Sequence, residues 1–273
     1  MLKISTSDYA PLILTPEVTP PIVYLDTCVI RDLAVRKAIG ELFRRSLLEK
    51  GGTLYLSWAH LVELFGLGVG PTYELVRAYL ASFGTSFVVI DNNAKTVSDR
   101  ETNMTVGKQN PAFDEDLLKY LAVNWPTGEL SMGMLLKAVA DKPSLIADLQ
   151  AKHRRLKHNL KAAFDEARAK YRTDREFRRQ LDNAQYVYLP MNPTDYVYKQ
   201  MSRECIVTHE HFMPSDGLDF QHCVVPLVYC DYVVLDKKWA RRCRKIHIPP
   251  SGAVVFNSVE TNELVHEINA LNS

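Results

Sequence analysis

Pro21–Ile30 reads PIVYLDTCVI, and the fold turns on how that stretch is parsed. Ile22, Val23, Tyr24 and Leu25 form an unbroken apolar run, the pattern of a strand buried on both faces. Asp26 disfavours a strand and ends it. Apolar residues resume from Cys28, so a helix begins on the far side of the acid. A lone acid in this place usually makes a turn or caps the helix. It carries chemistry only if other acids are brought to the same edge.

The same pattern recurs along the chain. Residues 53–57 (TLYLS) are a second strand, and 87–90 (FVVI) a third, again ended by an acid, Asp91. Residues 232–235 (YVVL) end on Asp236, and 253–256 (AVVF) form the last strand. A helix is expected over 29–49, with Ile30, Leu33, Ala34, Ala38, Leu42 and Phe43 on one face and Gly51-Gly52 as its stop. A short helix carrying Glu63 follows the second strand. Further helices are expected over 72–82, 217–230, 237–245 and 259–271. Strands alternating with helices predict an α/β fold with one parallel sheet covered on both faces. Residues 1–91 and 216–273 would build it, with 1–21 as a lead-in.

Residues 92–215 read differently, as a mainly helical insertion. Here 92–110 is polar and reads as loop. Helices are expected over 114–123, 130–140 and 144–182, with Pro190 and Pro193 closing the section. In the longest, Leu149, His153, Leu156, Leu160, Ala163 and Ala167 recur at steps of four and three, a seam for a facing helix.

The chain has 273 residues, 47% of them hydrophobic, enough for a proper core. Its net charge of +1 gives no global bias toward nucleic acid or anionic membrane. The distribution says more. Residues 150–180 hold eleven Lys/Arg against four Asp/Glu, a local +7, which leaves −6 elsewhere. Five cysteines without a CxxC pair suit reduced intracellular thiols better than a disulfide framework. No apolar stretch approaches the roughly 18 residues of a membrane span, and the N-terminus does not read as a targeting segment. A cytoplasmic protein is expected.

In an open parallel sheet, ligands bind beyond the carboxyl ends of the strands. Asp26 and Asp236 each sit one residue past a strand, and Glu63 lies near the same edge. Asp216, Asp219 and His222 recur at i, i+3 and i+6, so they share a face near the start of a helix. Four to five carboxylates therefore converge on one cleft. Packed together they repel and lose solvation. A divalent cation removes that cost, and all-oxygen ligands suit Mg²⁺ or Mn²⁺. Asp216, in PSDG, suits a cap or turn better than a ligand. Lys237, Lys238, Arg241 and Arg242, with Arg244 and Lys245, follow Asp236 and are placed to grip a phosphate backbone. A solvated basic helix face explains them equally well. His209-Glu210-His211 has a metal-like spacing but no cysteine at zinc spacing. Gly66-x-Gly68-x-Gly70 follows a helix rather than a strand, so it is not a dinucleotide fingerprint.

The blocks IVYLDTCVI, LSWAHLVELF and DFQHCVVPLVYCDYVVLDKKWA resemble the three signature blocks of PIN-domain nucleases. The resemblance covers roughly 20–91 and 216–260. It implies a PIN-like three-layer sandwich around a central parallel sheet, here with an inserted helical subdomain. It also implies metal-dependent hydrolysis of RNA by Asp26, Glu63, Asp219 and Asp236 around Mg²⁺ or Mn²⁺. His222 is placed to orient Asp219, and a buried, satisfied histidine explains it equally well. The toxin half of a toxin–antitoxin pair is one role within the family, which would add an inhibitor protein as partner; a homodimer is another arrangement left open. Two departures stand out. Cys28 replaces the usual Asn or Ser after the first Asp, and Val234 the usual Thr or Ser before the last. They favour the alternative of a non-cleaving RNA-binding or assembly module. A haloacid-dehalogenase-like phosphatase also starts with an Asp after a strand, but wants a second Asp where Cys28 stands.

Overall fold

The chain forms eight strands among the described residues, and the apolar runs are the five of the main sheet. In chain order the eight are β1 (Leu2–Ser5), β2 (Ile13–Pro16), β3 (Ile22–Leu25), β4 (Thr53–Ser57), β5 (Phe87–Ile90), β6 (Gly128–Glu129), β7 (Tyr232–Leu235) and β8 (Val254–Asn257). The structure is a computed structural model and describes residues 2–5, 13–68, 70–103, 110–118, 128–208 and 210–271. Strands β3, β4, β5, β7 and β8 form one five-stranded, all-parallel sheet in the order β5-β4-β3-β7-β8. Every residue of β4, β5 and β7 is buried, so both faces are covered. This is what unbroken Val/Leu/Ile runs require: neither face of such a strand tolerates water.

The strand order reverses direction at the β3–β7 pair. The chain moves outward from β3 through β4 to β5, then returns to the other side of β3 as β7. At such a switch point the following loops part and leave a crevice. Asp26 and Asp236 directly follow the two strands that flank it. The Asp26 N–H still donates to the Val234 C=O at 2.8 Å, completing the ladder, while its C=O accepts from Val29 and Ile30 and starts the next helix.

Several expected elements divide. The 29–49 helix is two, Thr27–Val35 and Lys37–Glu49, bent at Arg36. At this corner Gly40 packs against the Leu33 carbonyl so closely that a Cβ would sit 2.2 Å from its oxygen. Gly51, at φ +68, then stops the second helix as expected. The long basic helix is Pro143–Thr173 followed by Arg175–Asp182, split where the Asp174 side chain accepts from Glu176 N and Phe177 N as a new cap.

Others were missed. The stretch expected as loop over 92–110 contains helix Ala94–Thr102, capped by Asn93. Its composition is polar, and only Ala94, Val97 and Glu101 are buried, too few for a visible apolar stripe. Pro193 does not close a section but opens helix Pro193–Val207, with Asn192 as its cap. The lead-in supplies β1 and β2, and β1 pairs with both β2 and β6 in a small antiparallel sheet. Of the helix expected over 114–123, residues 115–118 are helical and 119–123 lie outside the described residues. The remaining helices, Met132–Ala140, Pro71–Ala81, Asp216–Tyr229, Lys237–Cys243 and Thr261–Ala270, fall close to expectation.

The helical segment is not held apart from the sheet. Val97, Leu135, Phe164, Val197 and Met201 belong to the same buried cluster as Val23, Leu56 and Val233. The seam of helix Pro143–Thr173 is divided. Its later part packs on helix Asp216–Tyr229, where Leu160 and Lys157 lie against Gly217. Its earlier part, with Leu149, His153 and Leu156, borders open clefts instead. Among the described residues, no helix is long and apolar enough to cross a membrane.

Candidate active site

Asp26 stands where a helix cap would, in extended conformation ahead of Thr27–Val35, yet its side chain makes no cap hydrogen bond. The carboxylate is turned to other use. It lies in a cleft of about 570 Å³ with Glu63, Asp219 and Asp236, so the four acids expected to converge do line one cavity. Glu63 reaches it from helix Trp58–Gly66 and Asp219 from the first turn of Asp216–Tyr229. Asp236 comes from the loop after β7.

Three of the acids have one oxygen held by a protein donor. The Cys28 thiol donates to Asp26 Oδ2 at 3.1 Å, Trp239 Nε1 to Asp219 Oδ2 at 3.1 Å, and Trp239 N to Asp236 Oδ1 at 2.7 Å. The second oxygen of each has no donor among the described residues. Trp239, fully buried, thus fixes two acids at once, a role the sequence reading did not give it. Cys28, two residues after Asp26, is thus a donor to its carboxylate. Desolvation and the Asp26 carboxylate push its thiol up, so it stays protonated and can donate. The Val234 side chain is buried in the core, and its contribution to the site is the carbonyl that holds Asp26 N.

The acids feel one another. Burial raises Asp26, which is only 6% exposed; His222 and Cys28 oppose this, while Glu63 and Asp236 add to it. Asp219 is pushed up to about 8, first by burial and then by Asp26, Asp236, Glu63 and Asp216. Among the described residues, no three His, Cys, Asp or Glu side chains are already closed around a point that would hold a metal ion.

A polar cluster lies behind Asp26. His60 Nδ1 accepts from Ser57 N at 3.1 Å, and its Nε2 donates to the Leu25 carbonyl at 2.7 Å. It ties the end of β4 to the residue before Asp26. Burial, and then His222, lower its pKa to about 3, so it stays neutral. His222 hydrogen-bonds the Tyr24 hydroxyl through Nδ1. Its Nε2, buried and without a hydrogen-bond partner among the described residues, lies 3.8 Å from Glu63 Oε2. His222 therefore faces Glu63 and does not orient Asp219 as expected. The two share a helix face, but His222 lies deeper, against the β3 end.

Asp216 sits apart from the four. It accepts from Met213 N at 2.6 Å and pairs with Lys238 Nζ at 2.5 Å, outside the cleft lining. The basic helix is largely engaged in ion pairs. Lys238 is taken by Asp216. Arg241 and Arg242 both pair with Glu210, and Arg242 is buried against the Trp239 ring. Arg244 pairs with Glu260 and Lys245 with Glu204. Only Lys237 of this run is exposed without an acid partner among the described residues. The cations that do line the carboxylate cleft are Arg31, Arg154 and Lys157, none with an acid partner among the described residues. Two come from the 150–180 basic stretch, whose charge excess was the available signal. Of the His209-Glu210-His211 run, His209 lies outside the described residues and Glu210 is occupied by the two arginines.

A scan of protein-family models, a search of curated proteins and a search of solved structures each find no match to this chain.

Proposed function

We propose that this chain is a PIN-like nuclease that hydrolyses RNA phosphodiester bonds with Mg²⁺ or Mn²⁺. One observation carries the reading: Asp26, Glu63, Asp219 and Asp236 line a single cleft at the switch point of a parallel sheet. The donor set fits a hard cation. All four side chains offer oxygen, three have one oxygen clamped and the other without a donor, and their mutual repulsion is relieved by positive charge. These four residues would hold the ion. Bound there, it would lower the pKa of a water and neutralise charge on the phosphate.

The rest is done by this chain's own groups. Arg31, Arg154 and Lys157 supply a cationic wall beside the acids, suited to non-bridging phosphate oxygens. Their charge offsets the repulsion between a polyanion and four carboxylates, and their placement fixes the phosphate relative to the acids. Cys28 and Trp239 keep the carboxylates oriented. One observation favours a second reading, a non-cleaving RNA-binding module: no three of the candidate ligands are yet closed around an ion.

The test is cleavage of labelled RNA in Mg²⁺ or Mn²⁺ and in EDTA, with wild type, Asp26→Asn and Asp236→Asn purified in parallel. Metal-dependent cleavage that falls at least about a hundredfold in both variants, with the fold retained, is the expected result. RNA binding without cleavage by wild type would leave the second reading. Release of phosphate from small monoesters, with RNA left intact, would point to a phosphatase instead.

A further inference from the structure

The carboxylate cleft has a neighbour. Over the ends of β4 and β5 lies a second cavity of about 480 Å³, and His153 lines both. The size is in the range of small-ligand sites. Its lining combines two chemistries. Trp58, the first residue of the helix after β4 and half-buried, provides an aromatic surface, and Leu149 from helix Pro143–Thr173 lines the same cavity. The carboxylates of Asp91, Asp114 and Asp116 provide acceptors.

These acids are not equally committed. Asp91 is paired with Arg100 at 3.1 Å, and it also accepts from Asn93 N. Asp114, buried, accepts from Leu117 N through Oδ1, and its Oδ2 has no donor among the described residues. Asp116, exposed, has no hydrogen-bond or ion-pair partner among the described residues. Of the lining cations, Arg100 is thus occupied and Lys152 is exposed. Such a cavity repels a phosphate. It suits a flat, uncharged ring that stacks on one face and presents N–H donors at its edge. A nucleobase with an exocyclic amino group has that form, and carboxylates accept from such groups. Uracil offers only its N3–H between two carbonyls, so a carboxylate that accepts there meets a carbonyl oxygen of like polarity on either side.

We propose that this second cavity binds an amino-bearing nucleobase (cytosine, adenine or guanine) of the same strand whose phosphate occupies the carboxylate cleft. It rests on the RNA reading above, and it assigns a substrate preference that the four acids alone do not supply.

The experiment titrates the full chain, in EDTA, with cytidine, adenosine and uridine, reading dissociation constants by saturation-transfer NMR. Nucleosides carry no phosphate, so the metal cleft does not enter. Cytidine and adenosine should bind about tenfold more tightly than uridine. Trp58→Leu should weaken cytidine and adenosine about tenfold through lost stacking. Asp116→Asn, at an exposed position, should bring the cytidine-to-uridine ratio to within about twofold. Equal binding of the nucleosides, no binding, or a preference unchanged in Asp116→Asn would each overturn the proposal. RNA cleavage by the same preparation separates the two ideas. Cleavage without nucleoside preference sinks the base site and leaves the nuclease standing. Preference without cleavage in either metal keeps the site and sinks the nuclease.

Discussion

Asp26 shows how little of a residue's role its local position settles. It occupies an N-cap and does not cap, whereas Asp236, in the equivalent place after β7, accepts from Trp239 N through one oxygen and does cap. The difference lies in neighbours: Cys28 holds Asp26 from the following helix. Cys28→Ser keeps a donor there, and Cys28→Val removes it. If the chain cleaves RNA, the Ser variant should stay within about threefold of wild type and the Val variant should fall about tenfold, in rate assays at fixed metal. Asp219 has a measurable cost in the absence of metal. Its carboxyl titrates near 3.8 when unfolded and near 8 when folded. Between those values the unfolded chain gives up the proton first, so raising the pH favours unfolding. In EDTA this residue should therefore make the protein lose stability from about pH 4 to about pH 8. Asp219→Asn, which can still accept from Trp239, should be more stable than wild type at pH 8 by several kcal/mol and no more stable at pH 4, by urea denaturation.

At the scale of elements, helix Pro143–Thr173 decides what the site faces. It brings Arg154 and Lys157 to the carboxylate cleft and Leu149 to the second one, with His153 between. It can do so because Gly217 lets it approach helix Asp216–Tyr229: an added Cβ would lie 3.3 Å from Leu160 Cβ and 3.4 Å from the Lys157 backbone. Gly217→Val should push the cationic wall outward and weaken RNA binding several-fold, most visibly at low salt, because phosphate contacts are lost. Filter binding across a salt series would read it. Elsewhere Glu101 fastens three helices. Its carboxylate accepts from Thr194 N at 3.1 Å, from Thr194 Oγ1 at 2.5 Å and from Tyr229 Oη at 2.6 Å. Glu101→Ala would strand these donors in a buried place and should cost ~2–4 kcal/mol in chemical denaturation.

Over the whole molecule, sheet and helical segment share one buried cluster, so they should unfold together. Urea transitions followed by tryptophan emission and by far-UV circular dichroism should coincide, and a chain lacking 92–215 should show no cooperative transition. Separate midpoints in the intact chain would show the segment to be an independent unit. The parallel sheet was legible because an unbroken apolar run flanked by acids or glycines has few other solutions, and period and length survive any packing. Asp26 and Asp236 were legible for a related reason: strand ends of a parallel sheet all point to one edge, so a residue one step past β3 or β7 is located by counting, while Glu63 and Asp219 were placed by the helices that adjoin that edge. Helices Ala94–Thr102 and Pro193–Val207 were not legible, since their sequences lack a clear stripe and carry polar residues or prolines that read as breaks. Nor was the division of cations. Lys238, Arg241 and Arg242 lie beside Asp236 in sequence yet are consumed by Asp216 and Glu210, while Arg154 and Lys157, some 80 residues away, line the cleft. Sequence alone determined the strands of the parallel sheet and the acids that follow β3 and β7, because these follow from local period. Which charges remain free to meet a ligand was decided only by the tertiary structure, because ion pairing depends on which helices face each other, and that is set by packing.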